Sequence, residues 1–134
     1  MKKTILTFTA MVALMLLQGC EFSTIDFYYC NKTADTIYVY LDGRLSDPLN
    51  SVNSNYLAET LAKLPPDGII QKSVDEDSFF GSGHIEYISI IQQSTLKDHT
   101  IDEILQWQLY KEYGFTAVQL RHMGYMFVLK DEDL

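Results

Sequence analysis

The sequence predicts an α+β domain of about five antiparallel strands, sandwich-like, with one main C-terminal helix and a short second helix. Three observations predict it. Short runs rich in aromatic and β-branched residues recur between polar turns, which is the pattern of strands. The segment 101–113 combines helical spacing with a capping signature at its start. Residues 25–134 show no repeat, linker or second domain, so these elements share one core.

The first two strands are expected at Ile25 to Cys30 (IDFYYC) and Thr36 to Leu41 (TIYVYL), joined through Asn31-Lys32-Thr33-Ala34-Asp35 as a hairpin. In the second, Ile37, Val39 and Leu41 alternate with Tyr38 and Tyr40, giving one aliphatic and one tyrosine-lined face. Asp42-Gly43 and Asp47-Pro48 mark a loop. Tyr56 to Leu64 has helical spacing that Pro65-Pro66 stops, and Ile69 to Val74 reads as a third strand. Asp75 to Gly83 reads as a loop, and Glu86 to Gln92 (EYISIIQ) as the clearest strand. Thr100 and Glu103 match a capping box, which starts a helix through Tyr113 that Gly114 ends. Its Ile101, Ile104, Leu105 and Leu109 form a stripe interrupted by Gln108 and Glu112, as expected for a helix lying on a sheet. Thr116 to Gln119 repeats the capping pattern for the short second helix, Tyr125 to Leu129 is the last strand, and Asp131-Glu132-Asp133 a solvated tail.

Upstream of this domain the chain changes character. Lys2 and Lys3 precede Ile5 to Leu17, thirteen residues without a charge. As a helix they reach about 20 Å, short of the roughly 30 Å of a bilayer core. A positive start and a short apolar centre instead read as a secretory signal at 1–19, leaving a tether at 20–24 and a domain at 25–134. The run ends in Leu17-Gln18-Gly19-Cys20, which resembles the lipobox of bacterial lipoproteins. That resemblance implies cleavage before Cys20 and acylation of its thiol and amine. With about 0.8 kcal/mol per buried methylene, two or three chains on one residue make release negligible.

Removal of Lys2 and Lys3 leaves eight basic against 18 acidic residues in the 115 residues 20–134, a formal balance of −10. Such a domain repels nucleic acid and anionic lipid, so the expected membrane partner is reached through the anchor at Cys20. With Cys20 acylated, Cys30 has no intramolecular thiol to pair with and reads as a small buried apolar residue.

The layout Asn31 to Leu41 followed by Glu86 to Leu129 resembles that of small lipoproteins abundant in Bacteroidetes. Their closing strand tends to carry a Trp and a Tyr-Pro, where this chain has Tyr125 and Leu129-Lys130. No catalytic residues come with that resemblance. Asp35-Thr36-Ile37 also resembles the O-glycosylation signal of that group, which makes Thr36 a candidate modification site. By resemblance to enteric lipoproteins, Glu21 rather than Asp after the Cys implies no retention in the inner membrane. Surface export in Bacteroidetes usually needs a dense acidic run, and Glu21 and Asp26 are too sparse for one, so the expected place is the periplasmic face of the outer membrane.

Residues for chemistry are sparse. None of His84, His99 and His122 stands in a His-x-His or His-x-x-x-His pair, and Asp98-His99 and His84-Ile85-Glu86 read as surface residues, so no metal or cofactor is expected. Gly81-Ser82-Gly83 lacks a nucleophile-elbow frame, and Asp75-Glu76-Asp77 lacks EF-hand spacing. The nine tyrosines read as covering half-buried sheet. The expectation is therefore a non-enzymatic envelope protein that meets a membrane-proximal protein or glycan. The competing expectation is a small hydrolase of an envelope polymer.

Overall fold

The computed structural model describes residues 23–47, 53–81 and 83–134. The segment 1–19, Cys20 and all of the tether except Ser23 and Thr24 lie outside the described residues. Within the described residues the chain forms two sheets, seven strands and five short α-helices.

Strand β1 (Thr24–Asn31) is the centre of a three-stranded sheet, flanked by β4 (Ile69–Asp75) and β7 (Met126–Leu129). Strands β2 (Ile37–Tyr40), β3 (Ala62–Leu64), β5 (Ile85–Gln92) and β6 (Lys111–Thr116) form the second sheet in the order β3-β2-β5-β6. The expected hairpin between the first two strands is absent, because β1 and β2 belong to different sheets. Asn31 explains the corner. Its Nδ2 donates to the carbonyls of Asp35 and Leu64, both at 2.9 Å, and its Oδ1 accepts from the Thr33 N–H at 2.9 Å and the Thr33 hydroxyl at 2.6 Å. The buried amide thus occupies the groups that a hairpin ladder would have used, and ties the end of β1 to β3 in the other sheet. The sheets are also not wholly antiparallel: β1 and β7 run parallel, with Cys30 opposite Val128. A parallel neighbour needs a crossover connection, and most of the chain lies between these two strands.

The period-two reading of β2 holds on both faces. Ile37 and Val39 join Phe27, Tyr29, Leu64, Ile88, Ile90 and Leu129 between the sheets. Tyr40, with Tyr38 beside it, lies on the opposite face with Ile91, Leu57 and Ile104, under the helices. The layers are therefore sheet, sheet and helices. Burial of each such side chain contributes about 1.5–3 kcal/mol.

The helices are shorter than expected. Helix α1 (Ser54–Thr60), capped by the Asn53 side chain on the Tyr56 N–H at 2.8 Å, gives way to β3 before the prolines. The expected loop after Asp75 contains α2 (Glu76–Gly81), whose Phe79 reaches the core. Helix α3 (Gln93–Asp98) directly follows β5. Helix α4 (Ile101–Gln106) starts at the expected capping box on Thr100 and Glu103, but ends at Gln106 instead of running to Tyr113. Gln108 takes φ 53°, so that the Leu109 N–H reaches the Ile104 carbonyl at 2.9 Å and closes the helix in a Schellman turn. The chain then leaves as β6. Gly114 sits within that strand, opposite Tyr87, where an added Cβ would stand 2.8 Å from Tyr87 Cε1. It therefore makes room for a ring and does not end a helix. Helix α5 (Ala117–His122) has the second expected capping box, on Thr116 and Gln119. The acidic tail is not simply solvated: Asp131 accepts the Ala34 N–H at 2.9 Å, and the Asp133 carbonyl accepts the Tyr113 hydroxyl at 2.6 Å.

Candidate functional site

On β5, Glu86 is in phase with Ile88 and Ile90, so it points between the sheets. On β4, Lys72 is in phase with Ile70 and Val74 and does the same from the opposite side. Two core positions at one end of the sandwich are thus charged, and the two residues form an ion pair. Glu86 is 3% exposed and Lys72 25%. The second Glu86 oxygen lies 3.1 Å from His84 Nε2, and Lys72 Nζ also donates to the Leu41 carbonyl at 2.6 Å. The His84 ring meets Phe79 edge-on at 5.5 Å, which orients it while leaving it 46% exposed.

A buried ion pair of this kind contributes little stability, because desolvating both charges offsets most of their attraction. Apolar residues of the same volume would hold the sheets together at least as well. The pair also burdens its surroundings. The Tyr29 hydroxyl is buried and has no hydrogen-bond partner among the described residues, and burial together with the Glu86 charge pushes its pKa well above the usual phenol range.

Two clefts meet at this cluster. The larger, of about 520 Å³, runs between the loop after β2 and the start of β5, with Asp42, Arg44 and Tyr87 on its walls and Lys72, His84 and Glu86 within. The smaller, of about 200 Å³, lies toward α2 and is lined by Ser78 and Phe79 with the same three residues.

The wall formed by the loop is held in place by a second carboxylate. Glu112 of β6 accepts from Arg44 Nε at 3.0 Å, the Ser46 hydroxyl at 2.6 Å, the Ser46 N–H at 3.2 Å and the Ser89 hydroxyl at 3.2 Å. Burial works to raise the pKa of Glu112, but the bonds from Ser46, Arg44 and Ser89 outweigh it and hold the group below the usual carboxylate range. The Arg44 guanidinium also lies over the Tyr87 ring, 5.2 Å from its centroid. Gly114 against Tyr87, Arg44 over its ring and Glu112 holding Arg44 form a continuous support for the cleft mouth.

Of the residues singled out in the sequence, Cys30 is buried, 5% exposed, in β1. Thr36 is half-buried just before β2, and its carbonyl accepts the Gln93 N–H at 3.2 Å. Cys20 lies outside the described residues. His122 is exposed at the end of α5, and His99 stands 3.6 Å from Glu103. Asp75 accepts the Ser78 N–H at 2.9 Å, a turn at the start of α2, and no group of three metal-ligating side chains occurs among the described residues. The reading of His84 and Glu86 as ordinary surface residues is corrected: Glu86 is buried and joins His84 to Lys72. The missed signal was phase, a charge at each of two positions that alternation assigns to the core. A further cleft, of about 460 Å³, between the end of β5 and β6, is lined by exposed Asp98 and Lys111 and half-buried His99, without a charged group from the core.

No protein-family model, curated protein or solved structure matches this chain.

Proposed function

We propose that the mature chain is a lipid-anchored envelope protein that binds a membrane-proximal partner, protein or glycan, through the cleft over Lys72 and Glu86. The observation that carries the binding reading is the inward-facing ion pair. Two core positions carry charge where a preformed cleft opens, and departures from the hydrophobic pattern of this kind concentrate at functional sites. The anchor reading is supported by the charge-free run that ends in Leu17-Gln18-Gly19-Cys20 and by its likeness to the lipobox of bacterial lipoproteins. No helix among the described residues is long and apolar enough to cross a membrane. The periplasmic face of the outer membrane is the proposed site, and Thr36 a proposed O-glycosylation position.

Glu21 to Ser23 separate Cys20 from β1, and with Thr24 they reach roughly 14 Å at full extension. A domain held so close meets partners at the membrane surface. Crosslinking in cells is expected to capture one, and lengthening the tether by about twenty Gly/Ser residues to change the yield. Cys20→Ser is expected to move the protein from detergent to water. If that variant keeps its acyl mass and stays with the membrane, the anchor reading is wrong.

A second reading, a small hydrolase of an envelope polymer, is favoured by one observation. Ser78, His84 and Glu86 line the same 200 Å³ cleft, a set able to serve as nucleophile, base and orienting carboxylate. Turnover of envelope glycans or peptides that disappears in Ser78→Ala and in His84→Ala would decide for it.

A further inference from the structure

We propose that the 520 Å³ cleft takes an uncharged saccharide, gripped through its hydroxyl groups by side chains of both charge signs. The inference rests on reading this cleft as a binding site and is independent of the anchor. Its volume lies in the range of small-molecule sites.

The lining decides the class of ligand. Carboxylates (Asp42, Asp47 and Glu86) and cations (Arg44 and Lys72) face one space. An anion entering it meets three carboxylates in a protein already strongly acidic, and a cation meets Arg44 and Lys72, which Glu112 and Glu86 fix where they are. Neither ion finds a uniform field. A sugar hydroxyl is different, because it donates one hydrogen bond and accepts others. Neighbouring hydroxyls can donate to a carboxylate and accept from a cation at the same time, so charges of both signs are used and none is left facing a like charge.

Hydrogen-bonding capacity remains for this. Lys72 has three N–H groups, of which two are directed to Glu86 and the Leu41 carbonyl. Arg44 has five, of which Nε–H is committed to Glu112. His84 meets Glu86 through Nε2, which leaves Nδ1 on a ring nearly half exposed at the cleft. The half-buried Tyr87 supplies an apolar wall for the C–H face of a ring. Because Glu112 holds the loop through Arg44 and Ser46, little ordering is required when a ligand enters.

The test is saturation-transfer NMR on the full chain in detergent, followed by titration of whatever binds. The neutral probes are N-acetylglucosamine, its β-1,4-linked dimer, galactose and mannose. The charged probes are glutamate, inorganic phosphate and spermidine. At least one neutral saccharide is expected to bind, and Asp42→Ala and His84→Ala, both at exposed positions, are each expected to raise its Kd tenfold or more with unchanged circular dichroism. Binding of charged probes alone would overturn the saccharide inference while leaving the cleft as a binding site. Saccharide binding that both substitutions leave untouched would overturn the site. No binding by any probe would overturn the inference, whereas the crosslinking yield with a lengthened tether would still test the anchored-binding reading by itself.

Discussion

Replacing Asn31 with alanine removes four hydrogen bonds in one step: two donated by its amide to the Asp35 and Leu64 carbonyls, and two accepted from Thr33. Asn31 is fully buried, so water does not replace them at once. Each intramolecular hydrogen bond contributes about 1 kcal/mol net, and a buried group left without a partner costs about 1–3 kcal/mol. The Asp35 carbonyl keeps the Thr33 hydroxyl at 3.0 Å, which moderates the loss. A destabilisation of about 3–5 kcal/mol follows, a large share of the roughly 5–15 kcal/mol available to a domain of this size. At about 4 °C per kcal/mol the midpoint should fall by some 12–20 °C. The assay is urea unfolding followed by circular dichroism and by the fluorescence of Trp107, the sole tryptophan. Asn31→Asp keeps the shape and the acceptor but loses both donors and brings in charge, and should be no milder than alanine. A loss below about 1.5 kcal/mol for both variants, at an unchanged denaturant slope, would show that sheet packing alone holds the corner.

The carboxyl of Glu112 titrates lower in the folded chain than its usual 4.5. Its contribution to stability is therefore complete above that pH and is lost as pH falls through the lowered value. The stability gap between wild type and Glu112→Gln should stay constant near neutrality and narrow below about pH 4.5 in urea titrations, and a gap that does not change with pH would refute the assignment. Tyr29→Phe removes a buried hydroxyl that lacks a partner among the described residues, so it should stabilise the chain by about 1 kcal/mol. Because the Tyr29 pKa is raised on folding, wild-type stability should decline above pH 10 more steeply than that of the variant, and a variant more than about 1 kcal/mol less stable would reveal a partner for the hydroxyl.

By itself the sequence determined what local chemistry decides. The alternation Ile37-Tyr38-Val39-Tyr40 assigned both faces of β2, because successive side chains of a strand point oppositely in any sheet. The two capping boxes stood where Thr100 and Thr116 put them, since a cap uses groups only three residues apart. Tertiary structure decided the rest. Asn31 reads as a hairpin turn until Leu64, 33 residues away, is beside it to accept its amide. Helix α4 stops because Gln108 adopts a conformation that usually marks glycine, while Gly114, the visible helix stop, lies under the ring of Tyr87. The cleft was hidden for the same reason. Lys72 and Glu86 lie on strands of different sheets, and only the packing of one sheet on the other turns two in-phase charges into an ion pair with His84 beside it.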